Sequence, residues 1–164
     1  MKTVLVLFCL LFSNIVFSQD QVIQRKIGLA TSLQKEQLDI SIPVRTSEYF
    51  VIAPSIKVIY VEDAGTEFGF GAAVKYYFRN TKIAPYMTTR ASLFGLESKL
   101  DDSWLDFGFG IGAGADYFFD PNFSIGIEAQ VNGTVSDKQS YRFGNPGGTN
   151  VNTATAITAS IYFF

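Results

Sequence analysis

Ten ionisable side chains stand at alternating positions of the sequence in a pattern that could do chemistry: Lys26, Asp39, Arg45, Lys57, Glu67, Lys75, Arg90, Asp106, Asp116 and Glu128, five of each sign. Two carboxylates drawn from Glu67, Asp106, Asp116 and Glu128 could divide between them the acid and base work of glycoside cleavage. The same four could instead be counter-charges to Arg45, Lys57, Lys75 and Arg90, and the rest of the composition favours that use. Histidine is absent, and the one cysteine, Cys9, falls within an N-terminal apolar segment. A chain cleaved after that segment holds no disulfide, no thiolate-bound or imidazole-bound metal, and no dyad or triad that needs His or Cys. The run Gly108-Phe-Gly-Ile-Gly-Ala-Gly114 is spelled like a phosphate-cradling loop, but such a loop opens a helix, and here a strand-like alternation continues on both sides. The glycines are therefore strand residues. No catalytic, cofactor or metal site is assigned, and the chain is not expected to be an enzyme.

A period of two positions these charges. It is plainest from Leu105 to Phe118, where Leu105, Phe107, Phe109, Ile111, Ala113, Ala115 and Tyr117 alternate with Asp106, Gly108, Gly110, Gly112, Gly114 and Asp116. The run is longer than an ordinary strand of about 5 to 6 residues and suits a bilayer crossing, which takes roughly 9 to 11 tilted residues. The same pattern divides the chain into eight strands: Lys26 to Leu33, Leu38 to Arg45, Tyr49 to Val61, Glu67 to Phe78, Ile83 to Leu96, Leu105 to Phe118, Phe123 to Asn132 and Thr153 to Phe164. No segment has sustained helical periodicity, and no linker divides the chain. The connections run short, tight, medium, tight, medium, tight and long, so the three tight turns share one end. Outer-membrane barrels have this asymmetry, with brief periplasmic turns and larger outer loops, and an even strand number puts both termini on the tight-turn side.

Charged residues make up 17% of the chain and hydrophobic ones 48%, against a usual charged share of about 25%. Something other than water must face much of the surface. A charge turned to lipid near the midplane costs about 2 to 4 kcal/mol, so the ten charges are predicted to point inward. The inside of an eight-stranded barrel is just wide enough to be filled by side chains. Balanced charges on a glycine-rich wall then predict a plugged lumen, held by ion pairs. Aromatics near the strand ends are expected to form two interfacial girdles: Tyr49, Phe50, Tyr76, Tyr77, Phe78, Tyr86, Tyr117, Phe118, Phe119, Phe123 and Phe163 beside the tight turns, and Tyr60, Phe68, Phe94 and Trp104 beside the loops. The N-terminus reads as a secretory signal peptide over residues 1–18, with Lys2, an apolar stretch from Val4 to Phe12, and Val16-Phe17-Ser18 before Gln19. Residues 19–164 then form the barrel domain. Removing Lys2 from the 13 basic residues leaves 12 against 15 acidic ones, a formal charge of −3 that recommends no nucleic-acid partner.

The stretches Ile40-Ser-Ile-Pro-Val44, Phe50-Val-Ile-Ala-Pro54, Gly71-Ala-Ala-Val-Lys-Tyr-Tyr-Phe78, Ala84-Pro85-Tyr86, Gly114-Ala-Asp-Tyr-Phe118, Pro121-Asn122-Phe123-Ser124-Ile-Gly126-Ile-Glu128 and Ser160-Ile-Tyr-Phe-Phe164 occur in the order seen in a known family. Together they resemble the small outer-membrane β-barrels of Gram-negative bacteria, of the eight-stranded OmpA/OmpX-like type. The resemblance implies an all-β, eight-stranded antiparallel up-and-down transmembrane barrel in the outer membrane, reached by export through the periplasm, with periplasmic termini. It also implies that the closing residues Tyr162, Phe163 and Phe164 are read by the barrel-assembly machinery.

The expected role is that of an integral outer-membrane protein, structural or surface-interacting, with lipid around its waist and a macromolecule at its loops. Tyr141-Arg142-Phe143, on the last long loop, either forms a recognition tip or folds back over the barrel mouth. Two other readings stay open at this point: a narrow porin-like channel or transporter, and a soluble lipocalin-like barrel that binds a small apolar ligand.

Overall fold

A strand that is oily on one face and ionic on the other cannot bury its ions alone; a succession of such strands does so by pairing edge to edge until the sheet closes. The computed structural model, which describes residues 27–35, 37–61, 65–97, 103–136 and 148–163, has that form. Its strands are β1 (Gly28–Gln34), β2 (Gln37–Ser41), β3 (Val44–Arg45), β4 (Phe50–Val61), β5 (Gly65–Tyr77), β6 (Ile83–Glu97), β7 (Ser103–Asp120), β8 (Phe123–Ser136) and β9 (Gly148–Tyr162). Every pairing is antiparallel, and each strand from β4 onward pairs with the next. The wall closes through β1, which runs from Gly28↔Tyr162 to Leu33↔Ile157 against β9 and pairs with β2 on its other side.

The β2 and β3 segments are two parts of one wall strand, since both pair with β4. Between them lie Ile42 and Pro43, and proline has no N–H to give the ladder. The wall still holds there: the Ile42 N–H donates to the Pro54 carbonyl at 3.0 Å, and the Pro43 carbonyl accepts from the Gly28 N–H at 3.0 Å. The fold is therefore the closed eight-stranded antiparallel barrel that the alternation predicts. The strands reach farther than expected at one end. Val135 pairs with Thr149 and Gly133 with Val151, so the hairpin strands run past the expected ends at Asn132 and Thr153 to Ser136 and Gly148. β-branched residues on both sides of that hairpin favour extended backbone and prolong the ladder.

The two faces are inverted relative to a water-soluble protein. Phe70 is 68% exposed on the outside, together with Ile52, Ile56, Phe107, Phe109, Ile111, Ile127 and Ile157, whereas Asp116 is 1% exposed within. Val51 and Ile59, apolar residues on the polar parity of β4, are buried as parity demands.

Parity also corrects the aromatic assignment. Tyr49, Phe50, Tyr76, Phe78, Tyr117 and Phe119 do lie on the outer surface at the tight-turn end, and their rings touch in sequence, Phe50 to Tyr76 at 4.9 Å and Tyr117 to Phe119 at 4.9 Å between centroids. But Tyr77, Tyr86, Phe94 and Phe118 are buried inside the barrel. Each sits two residues from an inward polar group, Lys75, Thr88, Ser92 and Asp116 respectively, and shares its face. At the loop end Tyr60 and Phe68 face outward; the side chain of Trp104 lies outside the described ones.

Inward glycines are where the wall makes room. A methyl group on Gly126 would meet Asp116 Oδ1, and Thr158 Oγ1 at 2.7 Å; one on Gly112 would meet Glu128 Oε1 at 2.6 Å. On outward-facing Gly95 it would meet nothing within 4 Å. Gly126→Ala is therefore expected to cost about 1 to 3 kcal/mol by overpacking, and Gly95→Ala to stay within about 0.5 kcal/mol, both read from urea unfolding of the barrel in detergent micelles.

Candidate functional site

The charged interior is built in tiers along the barrel axis. Nearest the loops, β2 sets Asp39 directly opposite Lys57 on β4, and the two form a buried ion pair. Gln37 Nε2 donates to Asp39 Oδ1 at 2.6 Å, so both carboxylate oxygens are engaged.

The second tier joins strands that are not neighbours. Arg90 on β6 and Glu128 on β8 are an ion pair, although β7 runs between them. Gly110 lies directly opposite Arg90 and Gly114 opposite Glu128, with Gly112 between. A side chain at Gly110 would press on Arg90 Cγ at 3.1 Å, and one at Gly112 on the Glu128 carboxylate. Glycines on β7 thus clear the corridor that the guanidinium crosses.

The third tier centres on Asp116. Its Oδ2 accepts from Tyr77 Oη at 2.5 Å and from Lys75 Nζ at 3.0 Å, and its Oδ1 accepts from Thr158 Oγ1 at 3.4 Å. Lys75 and Tyr77 come from β5, across β6; Thr158 comes from β9, across β8. Asp116, Gly126 and Thr158 are in one register row, and Gly126 leaves the gap through which the last contact passes. Lys75 Nζ also lies 3.9 Å from the centre of the Tyr86 ring, close enough for a cation–π contact.

Arg45 is held differently from the other cations. It is buried, donates from Nη1 to the Glu48 carbonyl at 3.0 Å, and stacks over Tyr77 at 5.2 Å and Tyr162 at 5.7 Å. Aromatic faces take the place of a carboxylate there. Asp106 is buried and Glu67 half-buried on the same inner face, toward the loops. Of the ten charges, nine therefore lie on the inner face, and Lys26 lies outside the described residues, as do Tyr141, Arg142 and Phe143. Sequence reasoning missed Tyr77, Tyr86 and Tyr162 as partners of the charges. Parity carried that information, since each is two residues, or an even number, from an inward polar group on its own strand.

Among the described residues the interior keeps small cavities. One of about 30 Å³ is lined by Gln34, Gln37, Gln130 and Asn132; another, of about 80 Å³, by Ser41, Ser55, Thr88 and Thr158. Lys57 and Arg90 border both, so their ion pairs stand between the two. Such spaces hold a few waters. Among the described residues no group of three His, Cys, Asp or Glu is arranged to hold a metal.

No protein-family model matches the chain, and no curated protein does. Solved structures do. The N-terminal β-barrel domain of Pseudomonas aeruginosa OprF superposes with a TM-score of 0.57 at 16% identity, over 85% of this chain and 100% of that one. Neisserial surface protein A superposes with a TM-score of 0.54 at 18% identity, over 84% of this chain and 93% of its own. At these identities the likeness is one of fold: an eight-stranded barrel of the outer-membrane type.

Removing one partner of a buried pair leaves the other without its counter-charge. Asp116→Ala leaves Lys75 and Tyr77 without their acceptor and is expected to cost about 3 to 5 kcal/mol. Glu128→Ala strands Arg90 beside the larger cavity, which Lys75 also borders, and is expected to fall in the same range. Tyr77→Phe removes one hydrogen bond to a charged group and should cost about 1.5 to 3 kcal/mol. Equilibrium unfolding of the three variants in one detergent checks the order.

Proposed function

We propose that this chain is an integral outer-membrane protein whose lumen is sealed by its own side chains, and that it acts as a structural element of the membrane and as an interaction surface at its loop end. The observation that carries this is the joint burial of Asp39, Lys57, Lys75, Arg90, Asp116 and Glu128 in three cross-linked tiers, behind a wall whose outer face is Phe, Ile, Leu and Val. A soluble protein with such an exterior would aggregate; lipid is the medium that suits it. Among the described residues, Lys57 and Arg90 divide the interior space into small cavities, which argues against a lipocalin-like carrier.

The proposal includes export through the periplasm and termini on the periplasmic side, where the tight turns lie. The outward-facing Phe163 and inward-facing Tyr162 fit the reading of the last strand as a contact for the barrel-assembly machinery, the terminal Phe164 lying outside the described residues. No enzymatic activity is proposed. The barrel's lipid contacts surround its waist, and a macromolecular partner would meet it at the loops, where Tyr141, Arg142 and Phe143 belong by sequence.

One observation favours a second reading, a narrow channel: the two interior cavities lie on either side of the Lys57 and Arg90 ion pairs. Purified, refolded protein in planar bilayers separates the readings. The sealed barrel is expected to give no steady unitary current. Removing one partition through the double change Arg90→Ala with Glu128→Ala is expected to join the cavities and introduce small steps. Steady conductance from the unaltered protein would establish the channel instead.

A further inference from the structure

The wall of the barrel is uneven at its loop end. The ladder between β1 and β9 stops at Leu33↔Ile157, because β1 turns back after Gln34, but β9 continues up to Gly148. Over Gly148 to Ala154 this strand pairs with β8 on one side, and among the described residues no strand pairs with it on the other. The free edge is about 23 Å long at the usual rise of a strand.

The register identifies which groups are unused. Tyr162 donates its N–H to the Asn122 carbonyl, on the β8 side, and Phe163 donates to the Ile27 carbonyl, on the β1 side. The β8–β9 register has no shift between there and Gly148, so odd-numbered residues of β9 aim their backbone groups away from β8 throughout. Thr149, Val151 and Thr153 therefore present three N–H and three C=O groups along the open edge. Unpaired backbone is not tolerated against hydrocarbon, which places this stretch beyond the lipid. Natural sheets guard such edges with lysine, proline, a bulge or a covering segment. The sequence from Gly148 to Ala156 contains no charged residue and no proline, and the β8–β9 register shows no bulge.

We propose that the upper edge of β9, Gly148 to Ala154, is a strand-addition site that takes an extended, uncharged peptide segment of another protein, laid antiparallel to β9 as a continuation of the β1 ladder. Recognition is through main-chain hydrogen bonds, with the small outward side chains Thr149, Val151 and Thr153 tolerating many sequences. The site prefers a foreign strand to a second copy for a geometric reason. Two barrels in one membrane are related by an axis along its normal, so their tilted β9 strands descend together and cross instead of running antiparallel. The inference deepens the proposed surface role and rests on it, but does not depend on the lumen being sealed, which conductance tests separately.

Amide exchange of the refolded, full-length barrel in micelles is the test, with a capped synthetic peptide of residues 129–136 as probe, because this sequence already pairs antiparallel with the same stretch on its other side. In the free protein the amides of Thr149, Val151 and Thr153 should exchange at least about tenfold faster than those of Asn150, Asn152 and Ala154. The peptide should slow the fast set by about tenfold or more, and the same peptide N-methylated at alternate residues, on the bonding side, should not. Val151→Pro sacrifices no wall hydrogen bond, so it should keep the heat-modifiable gel mobility of the barrel while abolishing the slowing at Thr149 and Thr153. Uniform protection of all six amides without peptide, no slowing with it, equal slowing by the methylated peptide, or protection arising from a concentration-dependent dimer would each overturn the proposal.

Discussion

Asp116 is enclosed by Tyr77, Lys75 and Thr158, and the surrounding barrel is arranged so that these three donors reach one carboxylate. The requirement is severe. A carboxylate buried to 1% has lost its water and must recover the loss from partners at close range. None of the three partners is on a strand adjacent to β7, so each must lean across a neighbour, and the neighbour must be thin where it is crossed. Gly126 on β8 and Ala84 on β6 are the residues level with Asp116, and both are small. The glycine content of the chain is in this sense a consequence of its ion pairs.

The alternation of residue types makes the strands, their faces and the closure of the sheet legible in the sequence itself, because lipid outside and polar groups inside impose a period of two on every strand. Even the less regular run follows the rule from Phe50 to Tyr60, with Val51 and Ile59 turned inward among the polar residues. What alternation could not supply was pairing. Cations and anions sharing one parity say nothing about which meet, since partners are chosen by the register between strands and by reach across intervening ones. Arg45 shows the limit clearly: its companions are the rings of Tyr77 and Tyr162 and a backbone carbonyl.

The inward aromatics failed for a related reason. Proximity to a strand end suggested an interfacial belt for Tyr77, Tyr86, Phe94 and Phe118, while parity put them inside. A ring near the end of a strand has two plausible destinations, and only the count of residues to the nearest inward charge separates them. β8 and β9 extend beyond the alternation because their upper ends are rich in Asn, Gly and Thr, which interrupt the apolar pattern without breaking the ladder. Those residues are paired in the wall, Asn132 with Asn152 and Thr134 with Asn150.

The contacts that leap over a strand have a mechanical side as well. Arg90 to Glu128, Lys75 to Asp116 and Thr158 to Asp116 are chords across the cross-section, whereas the ladder bonds run along its circumference. A hoop resists stretching but ovalises easily; internal chords oppose that flattening. Each needs three consecutive strands side by side, so the chords fasten the curvature that the rim bonds draw.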